Sequence, residues 1–295
     1  LSADSVYDYR NLLKDVEVIF SGWGAPTLDA EFLAATPKLK AFFYGSGAIK
    51  QFTTDEFWET GIPICSAWMA NAVPVSEFTL SQILFSLKCG WHYALETKKN
   101  GWKRDIFNGA GGYGSTVGIV SLGIIGRLVS QRLNSFDLNV IAYDPYFSKD
   151  AAAELDIGLC SLDELFRMSD VVSVHAPWLP ETEKMINGDL ISSMKKNATL
   201  INTARGAVIH EEELIEVLKS RPDLFAILDV TYPEPPVEGS PLYSLPNVIL
   251  TPHIAGSQDR ECRRMAKYMI SECRRFLEGE PLHYAITREK SLIMA

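Results

Sequence analysis

The stretch from Thr116 to Pro145, TVGIVSLGIIGRLVSQRLNSFDLNVIAYDP, constrains the fold more than any other part of the chain. Its apolar, β-branched start (Val117, Ile119, Val120, Leu122) reads as a buried strand that breaks at Gly123. Ile125, Leu128, Val129, Leu133 and Phe136 then recur at helical spacing, and a second buried strand, Val140 to Tyr143, ends in Asp144. Strand, glycine turn, helix, strand and acid follow in the order of a dinucleotide-binding βαβ unit. The glycines let the backbone approach a pyrophosphate at the helix N-terminus, where N–H groups and the helix dipole favour an anion. An acid about 20 residues on accepts hydrogen bonds from the ribose hydroxyls and repels a 2′-phosphate, which predicts NAD rather than NADP.

Ser121 occupies the first position of the glycine motif, giving S-L-G-I-I-G, so a serine must take a tight-turn conformation that glycine takes more easily. A second glycine run, Gly109 to Gly114, fits G-x-G-x-x-G letter for letter. No strand precedes it and it feeds a strand rather than a helix, so it reads as a loop.

A chain of 295 residues exceeds what one core usually holds, so two domains are expected. A net charge of −9 argues against a general nucleic-acid or anionic-membrane binder, and no apolar run approaches the ~18 residues of a membrane span. The five cysteines (65, 89, 160, 262 and 273) are scattered, form no metal-ligand pattern and point to a reducing, cytoplasmic setting.

Ahead of the βαβ unit, strands near Val16–Ser21, Leu39–Tyr44 and Ile62–Ser66 with helices between them suggest a small α/β domain. Its pattern leaves room for a further strand upstream of Leu1. Val73 to Lys98 reads as one long helix, apolar on more than one side, which predicts a spine or a dimer contact. After the unit the alternation continues, with strands at Val171–Val174, Thr199–Asn202, Phe225–Leu228 and Val248–Leu250, a capping box at Ser161–Glu164 and a last helix from Ser257 to about Leu277. The expected fold is a doubly wound parallel (Rossmann) sheet over residues 72–260, with residues 1–71 and 261–295 forming a second, smaller, flavodoxin-like α/β domain.

Ligands of an open doubly wound sheet bind outside the carboxyl ends of its strands. Those ends carry Gly123, Asp144, His175, Arg205, Asp229 and His253. Phe42, Phe43, Tyr44 and Trp68 read as packing of the small domain rather than as an apolar cleft.

The segments VGIVSLGIIG, HAPWLPETEKMIN, TLINTARGAVI, LDVTYPEPP and NVILTPHIAG resemble the D-isomer-specific 2-hydroxyacid dehydrogenase family, in the family's order and over nearly the whole chain. The resemblance implies NAD-dependent hydride transfer to a small 2-oxo acid, with Arg205, Glu234 and His253 as the catalytic set. It assigns the pyrophosphate to the turn Gly123-Ile124-Ile125-Gly126 and the ribose to Asp144. Ala176, Pro177 and Thr182 fall to the adenosine side, and Thr203, Ala204 and Asp229 to the nicotinamide. The smaller domain becomes the substrate domain: Ser46 and Gly47 receive the substrate carboxylate, while Asn71 and Val75 line the cleft. The implied partner is the small-molecule acid, with no metal, in a homodimer built through the nucleotide domain. Hinges near Asn71–Val73 and Gly256–Arg260 would let the halves close over substrate.

The chemistry suits these residue types. A guanidinium holds a carboxylate and polarises the adjacent carbonyl through a planar fork. An imidazole supplies the proton that an alkoxide needs after hydride arrival, and a neighbouring carboxylate favours the charged ring and fixes its orientation. Departures from the family pattern are Ser121, His210 in place of a common acid, Phe225-Ala226-Ile227 in place of a smaller stretch, and the missing Asp near Ile49-Lys50-Gln51. Two other outputs fit the same pattern: an NAD(H)-sensing corepressor-like protein and a phosphoglycerate dehydrogenase.

Overall fold

The computed structural model describes residues 5–102 and 109–294. Its contacts divide the chain into two units, Leu1–Ala72 with Ser257–Ala295, and Val73–Gly256. The ends expected of the smaller domain, residues 1–4 and 295, lie outside the described residues. The second crossing falls at Ser257, ahead of the expected 261, because the Ser257 N–H donates to Asn71 Oδ1 (2.8 Å) and so joins the first unit.

In the first unit, β1 (Val18–Ser21), β2 (Ala41–Tyr44) and β3 (Ile64–Ser66) form a parallel sheet in that order. The helices Ala30–Ala35 and Asp55–Glu59 each start on a side-chain cap, from Asp29 and Thr54, that accepts an otherwise unpaired N–H. All four β2 residues are buried: Phe42 packs with Leu28, Phe32 and Phe57, while Phe43 packs on the other face with Cys65, Met265 and Met269. Their burial assigns Phe42, Phe43 and Tyr44 to the core, as the sequence suggested. The helix Cys262–Glu278 covers that second face and buries Glu272. Its carboxylate accepts the Tyr284 N–H (2.9 Å) and the Cys65 thiol (3.6 Å), tying the chain end to β3. Burial, reinforced by Glu272, pushes the Cys65 thiol up to about 12, so it is inert.

In the second unit seven parallel strands run in the order β10-β9-β8-β7-β4-β5-β6. They are β4 (Thr116–Val120), β5 (Asn139–Tyr143), β6 (Gly158–Leu159), β7 (Val171–Val174), β8 (Thr199–Asn202), β9 (Phe225–Leu228) and β10 (Val248–Leu250). The order reverses between β4 and β7, the position where a doubly wound sheet opens a crevice. Strands β7, β8 and β9 are buried throughout, which is why they read as unbroken apolar runs. The Ser161–Glu164 capping box forms as expected. The glycine run from Gly109 is a loop leading into β4, although residues 103–108, which precede it, lie outside the described residues.

The single helix expected over residues 73–98 is two helices, Trp68–Leu87 and Gly90–Asn100. The break is at Cys89, whose φ of +50° cannot continue a right-handed helix, and the T-shaped pair Phe85–Trp91 (5.2 Å) packs across it. Pro74 lies inside the first helix rather than near its start, and the boundary between the two units falls within that helix.

Candidate active site

Every strand of the second unit except the short β6 delivers a polar or glycine turn at its carboxyl end. After β4 comes Ser121-Leu122-Gly123. Ser121 takes φ +76°, the left-handed conformation its place in the motif demands. Gly126 is obligatory, since a Cβ there would sit 2.1 Å from the Ser121 carbonyl oxygen. The helix Ile124–Leu133 begins at Gly123 with no side-chain cap, and a Cβ on Gly123 would meet open space. After β5, Asp144 accepts the Leu122 N–H (2.7 Å) on one carboxylate oxygen and the Tyr146 N–H (2.9 Å) on the other. Each oxygen keeps a further lone pair for an incoming hydroxyl. After β7, the Thr182 hydroxyl donates to Pro177 and accepts the Leu179 N–H (2.9 Å), which closes the loop that carries Ala176 and Pro177.

His175, also after β7, is buried with its Nδ1 unpartnered and its Nε2 3.0 Å from Ser173 Oγ. Burial pushes its pKa down to about 3, so the ring is neutral at physiological pH.

The ends of β8, β9 and β10 carry the three residues expected to be catalytic. The Thr203 hydroxyl hydrogen-bonds to Thr79 (2.9 Å), and Asn202 holds the next turn by accepting the Ala204 N–H and donating to the Arg205 carbonyl. Arg205 is half-buried with Nη1 donating to the Ala204 carbonyl (2.7 Å). Burial lowers its pKa, and the charge of Glu234 opposes that shift. Gly206 lets this turn press against the next, because a Cβ there would lie 2.0 Å from the Thr231 backbone. Glu234 follows two residues beyond Tyr232, whose N–H donates to Glu211. Its Oε1 lies 2.6 Å from His253 Nδ1, leaving Nε2 of the ring without a protein partner among the described residues.

His253 sits at φ +53°, a conformation that β-carbon-bearing residues adopt only under constraint. The constraint is Asp229. One oxygen of this buried carboxylate accepts the Thr251 hydroxyl (2.5 Å) and the Ile254 N–H (2.9 Å), the other accepts the Ala255 N–H (2.9 Å), and its carbonyl accepts the His253 N–H (3.0 Å). The sequence placed Asp229 against the nicotinamide; in the structure its carboxylate is engaged in holding the histidine loop. Asn202 and Thr251, which position Arg205 and that loop, were not singled out. The signal available was a polar residue immediately after, or closing, a buried strand.

In the first unit, Ser46, Gly47 and Asn71 come together. Ser66 Oγ donates to the Ser46 carbonyl (2.8 Å) and to that of Gly47 (2.5 Å), so both carbonyls are turned onto β3. Among the described residues no hydrogen bond engages the N–H of Ser46, Gly47 or Ala48. Asn71 Nδ2 is 3.8 Å from the point where a Gly47 Cβ would stand, while its Oδ1 is committed to Ser257. Val75 is buried in the helix Trp68–Leu87.

A family model described as "D-isomer specific 2-hydroxyacid dehydrogenase, NAD binding domain" matches residues 81–255. The chain belongs to this family. Its NAD-binding domain therefore contains the turn after β4, Asp144 and the Arg205, Glu234 and His253 turns. NAD is the cofactor. The uncapped helix start, the open space at Gly123 and the acid at the end of β5 fit a dinucleotide.

D-3-phosphoglycerate dehydrogenase of Mycobacterium tuberculosis is 35% identical over 256 residues, covering 87% of this chain and 48% of its own length. The chain thus spans about half the length of the curated relatives it matches. Among solved structures, D-mandelate dehydrogenase of Rhodotorula graminis superposes with a TM-score of 0.81 at 25% identity, covering 98% of this chain and 89% of that one. D-lactate dehydrogenase of Aquifex aeolicus, complexed with NAD and lactic acid, gives 0.71 at 29% identity over 92% and 86%. No described helix is long and apolar enough to cross a membrane.

Proposed function

We propose that this 2-hydroxyacid dehydrogenase reduces a small 2-oxo acid to the D-2-hydroxy acid with NADH, and runs the reverse reaction with NAD. The observation that carries the proposal is the His253–Glu234 contact of 2.6 Å, between the segments that follow β10 and β9, the latter strand pairing with β8, which leads into Arg205.

Bound NADH supplies the hydride. Arg205 pairs with the substrate carboxylate and draws electron density from the carbonyl oxygen, a task for which a planar guanidinium fork is shaped. His253 donates the proton from Nε2 to the oxygen that becomes the hydroxyl, and takes it back in the oxidative direction. Glu234, 2.6 Å from Nδ1, holds the ring in one orientation and fixes which nitrogen carries the transferable proton. The free N–H groups of Ser46 to Ala48 and the Asn71 amide offer donors to a carboxylate.

The relatives' names favour a second reading, phosphoglycerate dehydrogenase. Assaying NADH oxidation against glyoxylate, hydroxypyruvate, pyruvate, phenylpyruvate and phosphohydroxypyruvate separates the two. The proposal predicts turnover with at least one of these acids, and far lower kcat/KM with NADPH because Asp144 would face a 2′-phosphate. Oxidation by none of them would overturn it, and a sole preference for phosphohydroxypyruvate would establish the second reading.

The working form is proposed to be a homodimer. The second unit leaves Phe85, Leu95, Trp102, Tyr113 and Phe136 exposed, and Tyr113 and Phe136 line one surface pocket with Leu84 and Leu138, the kind of apolar surface that marks interfaces. Sedimentation at micromolar concentration should show about twice the 32.8 kDa of the chain.

A further inference from the structure

Glu234 stands on a segment that burial does not hold. Residues 232–235 are exposed throughout, and the last buried residue before them is Thr231. The carboxylate is therefore fixed by contacts that can be named. The Thr231 hydroxyl donates to the Pro233 carbonyl (2.9 Å), and the Tyr232 N–H donates to Glu211 (3.1 Å). The Tyr232 ring meets the Trp178 indole in a T-shaped pair, with centroids 5.0 Å apart and planes at 65°. The first contact lies within the turn after β9, and the second comes from the start of the helix Glu211–Ser220. The third reaches the loop after β7.

That loop is tied along its length. The Thr182 hydroxyl clasps Pro177 and Leu179, and the Trp178 indole N–H donates to Glu183 (3.1 Å), whose own N–H donates to the Leu179 carbonyl (2.9 Å). Its far end runs beside the stretch that follows Arg205: the Lys184 N–H donates to the Ala207 carbonyl (2.8 Å), the Ile186 N–H to that of Val208 (3.0 Å), and the His210 N–H back to Ile186 (2.9 Å). Because the strand order reverses between β4 and β7, the same loop flanks the crevice in which a doubly wound sheet takes a dinucleotide. The link to the Arg205 turn is made of backbone groups, which any side chain would leave in place. The link to the Glu234 segment is made of two aromatic side chains. These are 41% and 48% exposed, so packing of a core does not account for them.

We propose that Trp178 is a positioning residue for the proton-delivering pair: it holds the Tyr232–Glu234 segment against the loop that flanks the dinucleotide, so that cofactor occupancy and the placement of Glu234 at His253 are coupled. The inference rests on the dehydrogenase reading above. A coupling of this kind is reciprocal, so loosening the Glu234 segment weakens dinucleotide binding as surely as loosening the loop disturbs Glu234.

The test is a pair of double-mutant cycles on the whole chain, read as NADH affinity by fluorescence titration and as steady-state reduction of whichever of the five acids above the wild type reduces best. Both rings are exposed on loops, so the variants should fold, as melting curves would verify. Trp178→Ala should lower kcat by roughly three- to tenfold, the range of one aromatic pair, with KM for the acid little changed because the Arg205 turn keeps its backbone ties. Trp178→Phe keeps a ring against Tyr232 and should recover most of that loss. Combined with Glu234→Gln, Trp178→Ala should cost no more than Glu234→Gln alone. Trp178→Ala and Tyr232→Ala should weaken NADH binding by about the same factor, and the two together by no more than either. Wild-type kcat in Trp178→Ala, a Trp178→Phe chain as slow as Trp178→Ala, losses that multiply with Glu234→Gln, or wild-type NADH affinity in Tyr232→Ala would each overturn the role of Trp178 while leaving the dehydrogenase reading intact. If the wild type reduces none of the acids, the reading of the reaction falls and this inference with it.

Discussion

Ser121, directly after β4 (φ +76°), and His253, just after β10 (φ +53°), both carry a side chain in the left-handed region at a strand end of the nucleotide-binding sheet. The first works through its backbone. It shapes a turn whose next residues present an uncapped helix start, and the only demand on the neighbouring side chains is that Gly126 have none. The second presents a side chain, and the strain of about 1–2 kcal/mol that a left-handed residue carries is held in place by a buried carboxylate with three donors. A turn that binds with amides needs an empty shape, whereas a turn that aims an imidazole needs an anchor. Serine in the first is therefore a tolerable defect, while Asp229 in the second is indispensable.

The largest effect should come from His253→Ala. Turnover is expected to fall by on the order of 10²–10⁴ with little change in NADH affinity measured by fluorescence titration, because the proton donor is lost and the dinucleotide turn is untouched. Asp229→Asn comes next: it keeps the shape of the side chain but removes the charge and places an amide N–H₂ where one set of donors now points. Leaving buried N–H groups without an acceptor costs about 1–3 kcal/mol each, so the melting temperature should drop by several degrees and kcat by tens-fold as the His253 loop relaxes. An Asp229→Asn enzyme with wild-type kcat would show that the histidine holds its conformation unaided.

Between these two turns, at the sheet's reversal point, lies His175, which bears on stability rather than on turnover. Burial lowers its pKa from 6.5 to about 3. The unfolded chain therefore takes up a proton below about pH 6.5 that the folded chain refuses, and stability declines from there toward pH 3 by up to about 1.4 kcal/mol per unit. His175→Gln should flatten this limb in melting curves taken between pH 7.5 and 5. A variant with an unchanged acid limb would mean that other groups govern it. The smallest effect is expected from Ser121→Gly, a gain of roughly 1 kcal/mol in unfolding free energy with catalysis nearly unaltered, since glycine enters the left-handed region without a Cβ penalty.

The same contrast explains what was legible in the sequence. The parallel strands were readable because burial on both faces writes them as apolar runs, and four of them have the bounds read from the sequence: β7, β8, β9 and β10. Arg205, Glu234 and His253 were singled out because strand ends and motif order mark them, and the structure brings the last two into contact. The Asp229 clamp was missed because its partners are the hydroxyl and amides of residues 251 to 255, and backbone donors leave no trace in a side-chain pattern. The break at Cys89 was missed for a related reason: the apolar periodicity continues through Trp91, and only a left-handed φ with an aromatic contact across it ends the helix.

That Glu234 and His253 act as one proton-delivering pair is tested most directly by kcat/KM for 2-oxo acid reduction in Glu234→Gln, in His253→Ala and in the double variant. Glutamine keeps the shape of the side chain that contacts Nδ1 and removes its charge. The double variant should lose about as much as His253→Ala alone, because Glu234 acts only through the ring that is then gone. Losses that multiply in the double variant would contradict the pairing.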